Sequence, residues 1–163
     1  MPTNEEKNPS RRTLDELDRA LLRRLQQDAR STHKELAALL GLSVTPVYER
    51  VRRLEREGYI RSYRADLDRH LLDKGLMVFC AVSLVQHHRD MLQDFEARVQ
   101  TFAEVVACYH VTGAHDYLLH VLVGDMADYQ NFVMNRLATL PHIGKVESAF
   151  VMTEVKPGRE IPV

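Results

Sequence analysis

The sequence predicts an α+β chain in two parts, three short helices followed by a β-α-β-β-α-β sandwich of the ferredoxin-like kind, and three observations lead there. Leucines recur at helical spacing between capping signals over residues 13–64. Over residues 76–155, apolar runs rich in strand formers alternate with helical stripes. Charge divides at the same place: residues 10–70 hold 14 Lys and Arg against 10 Asp and Glu, and residues 71–163 hold 7 against 11. The net charge of -1 thus hides a basic half and an acidic half, and only the first suits a polyanion.

The first helix starts near Thr13, where Thr13-Leu14-Asp15-Glu16 reads as a capping box, and Leu17, Leu21, Leu22 and Leu25 form its apolar stripe. Asp18, Arg19, Arg23 and Arg24 fall on the other side. Thr32-His33-Lys34-Glu35 is a second capping box, and Leu36, Leu39 and Leu40 are the buried stripe behind it. Gly41 suits a left-handed helix cap, and Ser43 caps a third helix only two residues later, so the turn is tight.

In the third helix Val44, Val47, Val51 and Leu54 repeat at steps of three and four and face the core. Thr45, Glu49, Arg52, Arg53 and Arg56 take the other face, with Tyr48 and Arg50 at its edges and Pro46 in the first turn, where a missing N–H breaks no helical hydrogen bond. Two helices joined by a short Gly-containing turn, the second with small polar residues at its start and arginines beyond, form a helix-turn-helix. Side chains at its N-terminus reach base edges in the major groove. Arg50, Arg52, Arg53 and Arg56 can neutralise phosphates or bond guanine bidentately. The competing reading is a solvated arginine face paired with Glu49, Glu55 and Glu57. After Gly58, residues 59–65 (YIRSYRA) read as a short strand, a wing or a hinge.

Beyond a linker at residues 65–75, residues 76–85 (LMVFCAVSLV) predict a buried strand, and residues 89–102 a helix striped by Met91, Leu92, Phe95, Val99 and Phe102. Strands at 105–111 and 117–123 follow, joined by a turn at 112–116; then come a helix at 127–140 and a strand at 146–155. Two helices cover one face of such a sheet. The strands are apolar nearly throughout, so the second face needs a partner, and a second copy of the sheet is the simplest one. RNA-binding modules share this topology, but their basic Gly-aromatic signature is missing here and the domain is acidic.

No stretch nears the roughly 18 apolar residues that span a bilayer, and the polar start of the chain lacks a signal-peptide core; a cytoplasmic protein with a disordered tail at residues 1–12 is expected. Cys80 and Cys108 lie in apolar runs and read as small buried hydrophobes. His110, His115, His120, His87 and His88 cluster in sequence near Cys108 without any metal-ligand spacing, so no metal and no cofactor are expected. There is no nucleophile elbow, phosphate loop or dinucleotide fingerprint, which argues against an enzyme. The rival to a DNA-binding regulator is a stand-alone metabolite-binding oligomer, which leaves the arginine face without a role.

Four segments, LDELDRALLRRLQQDAR, LGLSVTPVYERVRRLEREGYI, GAHDYLL and FVMTEVKPGREIPV, resemble the Lrp/AsnC family of transcription regulators, and the resemblance covers nearly the whole chain. It implies an N-terminal winged helix-turn-helix and a C-terminal ferredoxin-like effector and oligomerisation domain, called RAM, with residues 156–163 as a tail. It further implies dimers that assemble into octamers or related discs, and an amino-acid effector. A dimer sets two recognition helices on neighbouring major grooves, so a roughly palindromic operator on double-stranded DNA is expected. By alignment of the turn, effector contacts fall on His110, Thr112, Gly113, Asp116, Val123 and Met126, with Phe150 and Val151 nearby. The turn reads Gly113-Ala114-His115-Asp116-Tyr117, where the family often has a second acid after the glycine. Apart from the family, a carboxylate at a strand start such as Asp116 either holds an α-ammonium group or caps its own turn.

Overall fold

The computed structural model describes residues 13–158 and 160–163, and the expected disordered tail at residues 1–12 lies outside the described residues. The chain forms two units. One contains the residues up to Asp66 together with Lys156–Val163; the other is Leu67–Val155.

The first unit holds helices α1 (Glu16–Gln27), α2 (His33–Leu40) and α3 (Val44–Arg56) around a core of Leu21, Leu22, Leu25, Leu36, Ala37, Val47, Val51 and Leu54. The capping box at Thr32 and Glu35 is present in both directions. That of α1 sits two residues later than the sequence suggests: Asp15 is the cap, its side chain accepts from the Asp18 N–H, and the Asp18 side chain accepts from the Asp15 N–H. Asp outranks Thr as a cap acceptor, which is why the helix starts there. Gly41 adopts the left-handed conformation at φ 65°, which a side chain would strain. Ser43 is the extended cap of α3 but makes no side-chain cap bond. Leu39 and Val44 are exposed rather than buried, because three short helices enclose only one narrow seam.

Two expectations for this unit change. Residues 59–65 form no strand; among the described residues of this unit there is no second strand to pair with, and Tyr59 and Ile60 pack against the helical core instead. The end of the segment expected as a C-terminal tail, residues 160–163, docks on α1. The Ile161 N–H donates to Gln26 Oε1 at 2.7 Å, Gln26 Nε2 returns a bond to the Ile161 carbonyl at 3.0 Å, and Arg23 donates to the Val163 carbonyl at 2.9 Å. Val163 adds apolar cover to the core.

The second unit has strands β1 (Leu76–Leu84), β2 (Val105–His110), β3 (Tyr117–Val123) and β4 (Ile143–Phe150), with α4 (Arg89–Val99) and α5 (Met126–Phe132). The sheet order is β2-β3-β1-β4 with every neighbour antiparallel, the ferredoxin-like arrangement. β4 lies upstream of its predicted span: it pairs with β1, its only neighbour, from Leu84 opposite Ile143 to Val78 opposite Phe150, and past Phe150 one bond to β1 follows, from the Val151 N–H to the Met77 carbonyl. The predicted helix at 127–140 is α5 followed by a π-helical turn at Val133–Leu137. Residues five apart on an α-helix differ by about 140° around the axis, and the wider turn returns both Phe132 and Leu137 to the core.

Burial along β1 and β3 largely alternates. Val78, Cys80, Val82, Leu119 and Val121 are buried under the helices, whereas Phe79, Ala81, Leu118, His120 and Leu122 on the other face are half-buried. Phe79 stacks on His120 there at 5.0 Å. Cys80 is buried as expected; Cys108 is exposed, because β2 is an edge strand with one neighbour only.

Candidate functional site

On the first unit the residues singled out on α3 do come together. Thr13, Asp15, Pro46, Tyr48, Glu49, Arg50, Arg52, Arg53 and Arg56 line one concave surface. Ser43, Thr45, Tyr48, Glu49, Arg52 and Arg56 are exposed. The Arg52 guanidinium lies 5.7 Å over the Tyr48 ring, and the His33 imidazole meets that ring edge-on at 5.2 Å. Tyr48 thus stacks between a helix start and a cation, a semi-rigid amphipathic group facing outward.

Arg50 and Arg53 are held differently. Arg50 Nη1 donates to Asp15 Oδ2 at 2.6 Å and to Asp18 Oδ1 at 2.8 Å, while Arg53 Nη2 donates to Asp18 Oδ2 at 2.5 Å. The bond from the Asp18 N–H, more than Arg50, holds the Asp15 carboxyl below its ordinary range, and the Asp15 contact raises Arg50 further. The two arginines therefore tie α3 to α1. Both reach carboxylates of the α1 start that the solvated-face reading did not include, and Glu55 accepts from the Tyr63 hydroxyl at 2.9 Å. That hydroxyl is pushed up to about 12, first by desolvation and then by Glu55.

On the second unit the residues carried over from the resemblance fall into two groups. His110, Thr112, Gly113 and Asp116 lie where β2 ends and β3 begins. His110 stacks on Tyr117 at 4.8 Å, and Gly113 sits at φ 121°, which only glycine adopts easily. Asp116 neither caps its own turn nor stands free. Its Oδ2 accepts from the Leu84 N–H at 2.8 Å, its Oδ1 lies 2.9 Å from His87 Nε2, and its own N–H donates to the Val82 carbonyl. Val123, Met126, Phe150 and Val151 lie at the other end: Val123 pairs with Leu76, Phe150 with Val78, and the Val151 N–H donates to the Met77 carbonyl. Seven residues of β3 separate the groups by about 20 Å. Val123 is buried under the helices, so its side chain is closed to a ligand, whereas Met126 and Phe150 are exposed.

The Lrp/AsnC ligand-binding domain model matches residues 77–161, and the winged helix-turn-helix DNA-binding model matches residues 14–61. The chain belongs to the Lrp/AsnC family of transcription regulators. Among its relatives, the Bkd operon transcriptional regulator of Pseudomonas aeruginosa is 42% identical over 87% of this chain and 93% of its own. The leucine-responsive regulatory protein of Salmonella typhimurium is 41% identical, covering 92% of each. A solved Lrp/AsnC-like structure, a transcriptional regulator of Neisseria meningitidis in complex with L-Met, superposes with a TM-score of 0.89 at 35% identity over 92% of this chain and 97% of that one. The chain is accordingly a helix-turn-helix DNA-binding regulator with an effector domain of the Lrp/AsnC type.

Sequence reasoning missed Asp15, Asp18 and His33. The signal was there in the first two: a pair of acids three apart on α1 faces a pair of arginines three apart on α3. Helical periodicity alone sorts Asp18 to the solvent side, yet Asp18 has no exposed surface. His33 gave no signal, since only the packing of α2 on α3 brings it to Tyr48.

Proposed function

We propose that two copies of this regulator join through the sheet face bearing Phe79, Ala81, Leu118 and Leu122, and that each dimer reads a roughly palindromic operator on double-stranded DNA with its two α3 helices. The half-buried, largely apolar character of that face supports the dimer, since a soluble protein rarely leaves such a sheet uncovered. Thr45 and Tyr48 reach base edges, and Arg52 and Arg56 take phosphates or guanine. One observation carries this reading: these four side chains of α3 are exposed, while the remaining arginines of that helix bond to carboxylates at the start of α1.

The effector is an amino acid, bound between copies. Its candidate contacts stand about 20 Å apart within one chain, too far for one small molecule, so a complete site needs the His110–Asp116 end of one copy and the Met126–Phe150 end of another. Assembly beyond the dimer, to an octamer or related disc, then responds to the effector, which is why DNA affinity responds as well. The protein works in the cytoplasm without a cofactor; among the described residues no helix is long and apolar enough to cross a membrane.

The DNA reading is tested by replacing Arg52 and Arg56 with alanine. Each change is expected to weaken duplex binding and to lower the slope of log affinity against log salt by about 1. Unchanged binding at every salt concentration rejects the surface. For the effector, a thermal melt against the proteinogenic amino acids is expected to single out one or a few that raise Tm, and sedimentation should change with those same ones. No shift with any of them rejects the amino-acid reading.

A further inference from the structure

We propose that Asp18 is a positioning residue for DNA recognition: it draws Arg50 and Arg53 inward and fixes how α3 is rolled, so that of the four α3 arginines Arg52 and Arg56 present their charge to the duplex. The proposal rests on the DNA reading above.

Among the described residues Asp18 is the buried charged residue, with none of its surface exposed. Both carboxylate oxygens are used: Oδ1 accepts from Arg50, and Oδ2 accepts from Arg53 and from the Asp15 N–H that begins α1. Burying a lone carboxylate is prohibitive, and two guanidinium partners make it tolerable. The arrangement is costly even so, since Arg53 Nε is buried without an acceptor. A leucine at position 18 would serve a plain helical core better. What the charge supplies is direction. Arg50 and Arg53 are three residues apart on α3, and a carboxylate bonded to both permits one rotation of that helix about its axis and resists others. With that rotation set, Thr45, Tyr48, Arg52 and Arg56 face outward together.

The charge balance has a second consequence. Asp15 and Asp18 offset Arg50 and Arg53, so α3 approaches DNA with fewer free cations than its sequence implies. Random duplex is held mainly by free cations, whereas an operator is held by correctly aimed side chains as well. Internal pairing therefore suppresses binding to random sequence and favours discrimination.

The experiment uses the full chain, a random-sequence duplex, and a duplex selected from a randomised pool by the unaltered protein. Asp18→Asn keeps the shape and removes the charge. It is expected to free Arg53 while Arg50 keeps Asp15, steepen the salt slope on random duplex by about 1, and lower the selected-to-random affinity ratio by on the order of tenfold. Arg53→Met keeps the stem and removes the guanidinium; it is expected to leave the random-duplex salt slope unchanged while the ratio falls. A slope lower by about 1 in Arg53→Met makes Arg53 a direct phosphate contact and overturns the proposal, whatever becomes of Asp18→Asn, including failure to fold. A fall in affinity for both duplexes by the same factor, at unaltered slope, overturns it too, because that is what loss of folded protein alone produces. If the unaltered protein selects no duplex from the pool and holds none at low salt, the DNA reading itself fails, an outcome distinct from any result with the variants.

Discussion

The helical unit and the sheet unit carry their candidate contacts in opposite ways. On α3 the outward groups follow one another at helical spacing, so one copy of the chain presents the whole surface. On the sheet, the groups that the family resemblance assigns to the effector lie at both ends of β1 and β3, and one copy presents two halves. A helix gathers neighbours in sequence onto one face, while an antiparallel sheet sends consecutive strand ends to opposite edges. The first surface is complete in one copy, and the second, on the proposal above, needs two.

Core substitutions break this comparison most forcefully. Leu54→Ala in the helical core and Leu119→Ala in the sheet core each remove a fully buried leucine and are expected to cost about 2–5 kcal/mol. Hydrogen exchange is the informative measurement. Leu54→Ala should strip protection from α1, α2 and α3 while the strands stay protected, and Leu119→Ala should do the reverse. Simultaneous loss throughout would show that the two units unfold as one body.

Asp116 sharpens it next. Asp116→Ala leaves the Leu84 N–H without its acceptor and is expected to cost about 1–3 kcal/mol, and Asp116→Asn should recover most of that because an amide oxygen can still accept. Chemical denaturation measures both. If Asp116→Ala is as stable as the parent yet loses amino-acid binding by calorimetry, the carboxylate serves a ligand directly.

A smaller effect is expected at the start of α2. Thr32→Ala removes one half of the capping box and should cost about 1 kcal/mol in the same assay. The partner Glu35 is held below the ordinary glutamate range, first by the Thr32 N–H and then by the Thr32 hydroxyl. A depressed folded value means that its contribution is complete above the unfolded value and fades as pH falls through the folded one. Amides of α2 should therefore keep their protection at neutral pH and lose it only under acid conditions, and in Thr32→Ala this acid sensitivity should weaken.

The smallest effect concerns the two thiols. Cys108 belongs to an exposed residue, yet desolvation and then Glu96 push its thiol up to about 11. Native protein at pH 8 should react with iodoacetamide at Cys108 far more slowly than free cysteine does, and faster as pH rises; Cys80, fully buried, should react only after unfolding. Rapid labelling of Cys108 at pH 8 would place β2 in a more solvated setting.

Much of this was legible in the residues. The three helices, the Thr32 capping box, the Gly41 cap and the order of strands along the chain all follow from local spacing, and β3 begins and ends where its apolar run and the flanking turns put it. The departures share a cause. Asp15 in place of Thr13 as cap, the missing strand at 59–65, the shortened β4 and the π turn at Val133–Leu137 are each decided by a partner that lies elsewhere in the chain.

The sequence by itself determined which residues can be helix, strand and turn, and that α3 carries a cationic surface, because those properties depend on neighbours within a few positions. Only the tertiary structure decided which arginines remain free. Asp18 and Arg53 are 35 positions apart, and whether a charge faces water or a buried counter-charge is settled by the packing of α1 against α3. Docking of Ile161 on Gln26, 135 positions away, is of the same kind: no pattern along the chain encodes it, since it exists only once the helical surface has formed.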